Sequence, residues 1–97
     1  MPAYITLFKW TPQGLANIKS APERIKQSKA LIEKTGGHVI GAWVTMGEYD
    51  IVAISEAPDD FIAAANTLAI AQGGNVTSQT LKAFSEDEFA QIVAKLP

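Results

Sequence analysis

The sequence predicts an α+β fold in which four strands and two long helices follow the order β-α-β-β-α-β, with a short helix at the C-terminal end. Three observations carry that prediction. Short alternating apolar runs flank segments with helical spacing, Ser20 and Ser85 both open helix-start signatures, and two β-rich runs meet at Gly47-Glu48.

The first strand runs from Tyr4 to Trp10, with Tyr4, Thr6, Phe8 and Trp10 on one face and Ile5, Leu7 and Lys9 on the other. Thr11-Pro12-Gln13-Gly14 ends it, and Leu15 to Lys19 is read as a helical turn. Ser20-Ala21-Pro22-Glu23 then reads as a capping box with proline in the first turn, where no N–H is missed. Ile25, Ser28, Lys29 and Ile32 share one stripe of the helix that follows, and Gly36-Gly37 supplies its left-handed end. His38 to Met46 and Tyr49 to Ser55 are the second and third strands, joined as an antiparallel hairpin by a tight Gly47-Glu48 connection. Ala57-Pro58-Asp59 opens the second long helix, whose expected buried stripe is Phe61, Ala64, Ala65, Leu68 and Ala69. Val76 to Ala83 is the fourth strand, and Ser85-Glu86-Asp87-Glu88 caps a last helix striped with Phe89, Ile92, Val93 and Leu96. Two helices crossing over one face of such a sheet make a ferredoxin-like arrangement.

With no repeat, low-complexity tract or linker, one domain over residues 1–97 is expected. A chain of 97 residues leaves much of its surface exposed when it folds alone. There is no cysteine and only one histidine, His38, so neither disulfides nor a conventional zinc site is available as a staple. No cofactor or metal is implied. Eight basic residues against ten acidic ones, with the lysines scattered, exclude the positive footprint that nucleic acid requires. No apolar run is long enough to span a bilayer, and Met1-Pro2-Ala3-Tyr4 does not resemble a signal peptide, so a cytoplasmic location is the expectation.

Both faces of the first two strands are apolar, a pattern found where a sheet is covered on both sides. Helices cover one. The other is expected to pack on a second copy of the chain, as a homodimer or larger oligomer, enclosing a small cavity; the alternative is the last helix folded over it.

The run Thr45-Met46-Gly47-Glu48-Tyr49-Asp50-Ile51-Val52-Ala53 resembles the signature of the GYD-domain proteins, a family of small bacterial proteins of unknown function. Trp10-Thr11-x-x-Gly14, Asn17-Ile18-Lys19, Gly36-Gly37, Pro58-Asp59-Asp60 and Gly74-Asn75-Val76 extend the likeness over nearly the whole chain. The resemblance implies a dimeric α/β barrel and no particular activity. A fainter one links the Gly-x-Tyr-Asp hairpin to the effector-binding domains of Lrp/AsnC regulators, which bind small molecules, commonly amino acids, between subunits. Their DNA-binding helices have no counterpart here.

The candidate site residues divide by chemistry. Tyr49 and Asp50 offer a phenol and a carboxylate at the hairpin, where Gly47 and Asp50 equally serve the turn itself. Phe8, Trp10 and Trp43, with Tyr4, are either core or the walls of a cavity. His38, with no carboxylate nearby in sequence, reads as a solvated histidine or a general base, and Arg24 as a helix-surface cation or an anion anchor. Three functions fit this set: a homodimer holding a small molecule in or beside the sheet cavity, a cofactor-free enzyme using Asp50, His38 or Tyr49, and a structural assembly protein.

Overall fold

The computed structural model describes all 97 residues. The elements are β1 (Ala3–Trp10), α1 (Pro12–Ala16), a 3-10 turn (Ile18–Ser20), α2 (Ala21–Lys34), β2 (His38–Val44), β3 (Ile51–Glu56), α3 (Asp60–Gln72), β4 (Val76–Ala83) and α4 (Glu86–Val93). The four strands form one sheet in the order β2-β3-β1-β4, and every neighbouring pair is antiparallel. Helices α2 and α3 lie on one face, which gives the expected ferredoxin-like architecture. The Cα envelope is only 19 Å thick in its smallest dimension, the depth of two layers.

Register decides which residue meets which layer. Tyr4, Thr6 and Phe8 of β1 stand opposite Ser55, Ala53 and Ile51 of β3, and Tyr4, Thr6 and Ile51 are buried beneath the helices. Ile5 and Leu7 stand opposite Ile54 and Val52 and point to the other face. A bulge in β2 alters the parity there. Val39 pairs with Ser55 and Gly41 with Ile54, so residues two apart take opposite faces and Ile40 is left over. Ala42 therefore joins the helix side while Gly41 and Trp43 face outward.

Local chemistry explains most element ends. Thr11 caps α1 by accepting from the Gly14 N–H, and Asp59 caps α3 by accepting from the Ile62 N–H at 2.9 Å. Past α2, the Gly37 N–H reaches back to the Ile32 carbonyl at 3.0 Å, with Gly36 left-handed. The Ser85–Glu88 capping box forms as predicted. Two far-separated glycine motifs meet. The Thr11 N–H and hydroxyl donate to the Asn75 and Gly74 carbonyls, and a Cβ on Gly14 would lie 2.0 Å from the Asn75 oxygen. Only glycine admits that approach.

Four expectations need correction. The Ser20 box does not form: the chain enters α2 directly from the 3-10 turn, so Ser20 is already helical and its hydroxyl donates to the Asn17 carbonyl at 2.9 Å instead. Strand β2 stops at Val44 and β3 starts at Ile51, two residues short of the expected ends. The connection is the six-residue Thr45–Asp50 segment, closed by Thr45 N–H to Asp50 O (2.8 Å) and Thr45 Oγ1 to Tyr49 O (2.6 Å). The Thr45 hydroxyl donates to the Tyr49 carbonyl, and the Asp50 carboxylate accepts the Trp10 main-chain N–H. The third correction is to α3. Phe61 is 87% and Leu68 67% exposed, while Ile62, Ala63, Asn66, Thr67 and Ile70 face the sheet. This helix is apolar on nearly every side, so spacing alone cannot choose a face. Asn66 chooses it, buried and donating to Thr35 Oγ1 at 2.9 Å. Finally, α4 does not cover the open sheet face; Phe89, Ile92, Val93 and Leu96 remain exposed.

Candidate functional site

The sheet separates the seven sequence-derived candidates. Phe8, Trp10 and Arg24 lie on the helix side, around a cavity of about 300 Å³ between α2, α3 and the sheet. Trp43, Tyr49 and His38 lie on the open side. Asp50 ties the two together at the end of β1. The aromatic group is thus split, with Tyr4, Phe8 and Trp10 under the helices and Trp43 alone of the four facing out.

Asp50 has a structural task. Its carboxylate accepts the Trp10 main-chain N–H at 2.8 Å, its own N–H donates to the Phe8 carbonyl, and its carbonyl accepts from Thr45. The hairpin loop is fastened by these bonds to the end of β1. Gly47 sits at φ 150°, a backbone region that favours glycine. Tyr49 leaves this loop to lie along the open face, where the Lys9 ammonium stands 5.2 Å from its ring centre and its hydroxyl donates to Gln79 Oε1 at 3.0 Å. Lys9 also meets Glu48 at 3.6 Å.

At the opposite end of that face, His38 Nε2 meets Glu56 Oε1 at 2.7 Å. Sequence reasoning found no carboxylate for His38. The partner sits directly across the β2–β3 ladder, a neighbour that only the register discloses. Between these polar ends the open face is apolar: Trp43, Val52, Ile54, Ile5, Leu7 and Leu81. The Trp43 ring lies over Gly41, where a Cβ would fall 2.5 Å from the indole, and Trp43 is 54% exposed.

The helix side carries its own polar network, which sequence reasoning missed. Buried Tyr4 donates to Asp60 Oδ1 at 2.5 Å, and Lys82 meets Asp60 Oδ2 at 3.1 Å. Burial, then the Asp60 hydrogen bond, pushes the Tyr4 phenol up to about 12. The bonds from Tyr4 and Lys82 hold the Asp60 carboxyl below its ordinary value. The Pro58-Asp59-Asp60 run held the signal, since its second carboxylate was free of capping duty. Arg24 Nη1 donates to the Asn17 carbonyl at 3.0 Å and to Ser20 Oγ, while Nη2 is enclosed without a protein acceptor.

A two-layer α+β sandwich with a bare, apolar sheet face defines the class: a small ferredoxin-like domain. Within that class, residues 4–93 match the GYD domain, and the chain belongs to the GYD-domain family. It is similar to the glutamine synthetase and cystathionine beta-lyase binding protein of Thermus thermophilus, with 33% identity over 97 residues and 99% of each chain covered. Among solved structures, FFRP-DM1 superposes with a TM-score of 0.64 at 19% identity, over 87% of this chain and 100% of that one. TTHA0845, also of Thermus thermophilus, gives 0.57 at 20% identity, over 88% and 95%. Both support the fold. No helix is long and apolar enough to cross a membrane.

Proposed function

We propose that this chain is a binding protein that works as a homodimer, pairing its open sheet face with that of a second copy and presenting its outer helices to other proteins. One observation carries the reading. Only seven of 97 residues are buried, while large apolar side chains face outward on the sheet, on α3 and on α4. Apolar surface of that extent marks interaction sites. The sheet face suits a second copy because all four strands contribute to its apolar centre and its charged groups sit at the two ends, the core-and-rim pattern of an interface. Phe61 and Leu68 of α3 lie on the opposite side of the molecule, so pairing through the sheet leaves them free.

The Thermus relative supports the choice of target. By analogy with its name, the chain would engage metabolic enzymes such as glutamine synthetase or cystathionine beta-lyase. The small-molecule ligand suggested by the sequence belongs, on this reading, to the helix side. The test is biolayer interferometry with both enzymes purified from the same source organism. Saturable binding to at least one, weakened tenfold or more by Phe61→Ser together with Leu68→Ser, is the expected result. Absence of binding to both at micromolar concentration would overturn the enzyme-docking half.

A further inference from the structure

We infer that the cavity between α2, α3 and the sheet is a site for a small apolar carboxylic acid, with Arg24 as its anion anchor. The cavity lies on the helix side, away from the face proposed to pair, so the inference does not depend on dimerisation. The walls are chiefly apolar, with Phe8 and Trp10 from β1, Ile25 from α2, Ile70 from α3 and Val76 from β4. Apolar walls around a few oriented polar groups are what small-molecule sites require.

The polar groups state the charge of the ligand. Arg24 and Lys29 both line the cavity, and no aspartate or glutamate does. Arg24 is fastened through Nη1 alone. Its Nη2 is enclosed and has no protein acceptor, a state native proteins rarely leave in place, and it meets a ligand once the side chain turns toward the cavity. It also stands in the first turns of α2, where the helix dipole repels a cation and attracts an anion. A carboxylate answers both conditions, because a guanidinium offers paired N–H donors to its two oxygens. Trp10, held by its main-chain N–H to Asp50, lines the same cavity.

Size and charge narrow the class further. An apolar cavity of about 150 Å³ holds a benzene ring. Twice that volume accommodates one ring, or one branched chain, together with the acid group. An amino acid is disfavoured, since its ammonium would enter a cavity with two cations and no carboxylate to receive it. The ligand is therefore a monoanion, not a zwitterion.

The probe is 3-phenylpropionate, compared with its neutral amide 3-phenylpropanamide and with phenylalanine. Trp10 borders the cavity and Trp43 lies on the opposite face, so Trp43→Phe leaves Trp10 as the sole reporter of emission. In that background 3-phenylpropionate should change Trp10 emission saturably, and the amide and phenylalanine should each bind at least tenfold more weakly. Arg24→Gln should weaken the acid at least tenfold without affecting the amide, and Arg24→Lys should restore part of the loss. Equal affinity for acid and amide would overturn the assignment, and that comparison needs no change at Arg24. Absence of a saturable response at millimolar acid would overturn it as well.

Discussion

The two faces of the sheet are built from the same four strands yet are completed in opposite ways. On the helix side, buried polar side chains find partners within the chain: Tyr4 with Asp60 and Asn66 with Thr35. On the open side polar contacts stand only at the ends, at Tyr49–Gln79 and His38–Glu56, and the centre is bare hydrocarbon. The helix side is covered by its own chain, apart from the cavity beside Arg24. The open face, with its apolar centre and polar margin, has the pattern of an interface, which is the ground for proposing that it pairs.

The contrast is broken most forcefully by truncating one residue on each face. Phe8→Ala on the helix side should cost about 3 kcal/mol at any protein concentration, the low end for an aromatic truncation because Phe8 is half-buried at the cavity wall. Leu7→Ala, next to it on the open face, should cost about 1 kcal/mol in dilute protein and more as concentration rises. Thermal melts at two concentrations separate the two behaviours. Equal, concentration-independent losses would erase the distinction.

Alkaline pH probes the helix side through Tyr4. The unfolded Tyr4 phenol gives up its proton near pH 10, whereas the folded one holds it to about 12. Between those values the unfolded chain binds fewer protons than the folded chain, so stability falls as pH rises, by about 2–3 kcal/mol in total. Denaturant titrations from pH 9 to 12 should show that slope in the wild type and its loss in Tyr4→Phe.

The smallest effect belongs to α4, which packs on neither face. Ser85→Ala removes its capping box and should cost that helix about 1 kcal/mol. The sheet's melting temperature should hardly change. Helical circular dichroism should drop while the cooperative melt stays within about a degree or two.

These results also show what the sequence could convey. Element order was legible because the relevant signals are local: alternation in β1, proline and aspartate before α3, and Ser85 with Glu88. The β2–β3 connection misled because Tyr49 continues the alternation of its strand, although it belongs to the loop. In α3 the misreading came from an excess of signal, since Ile62, Ala63 and Ile70 are as apolar as the stripe first chosen. The candidate site was least legible. The bulge at Ile40 places Val39 and Trp43 on opposite faces, although a regular strand would place them together. His38–Glu56 and Tyr4–Asp60 join residues 18 and 56 positions apart through register and helix docking, which no short motif encodes.

The central claim is that the open face is a pairing face, and light scattering coupled to gel filtration tests it most directly. At micromolar concentration the wild type should have twice the 10.4 kDa chain mass, and Leu7→Glu, which plants a charge at the apolar centre, should run as a folded monomer. A wild type that elutes as a 10.4 kDa monomer would contradict the account, as would a Leu7→Glu protein that remains a dimer.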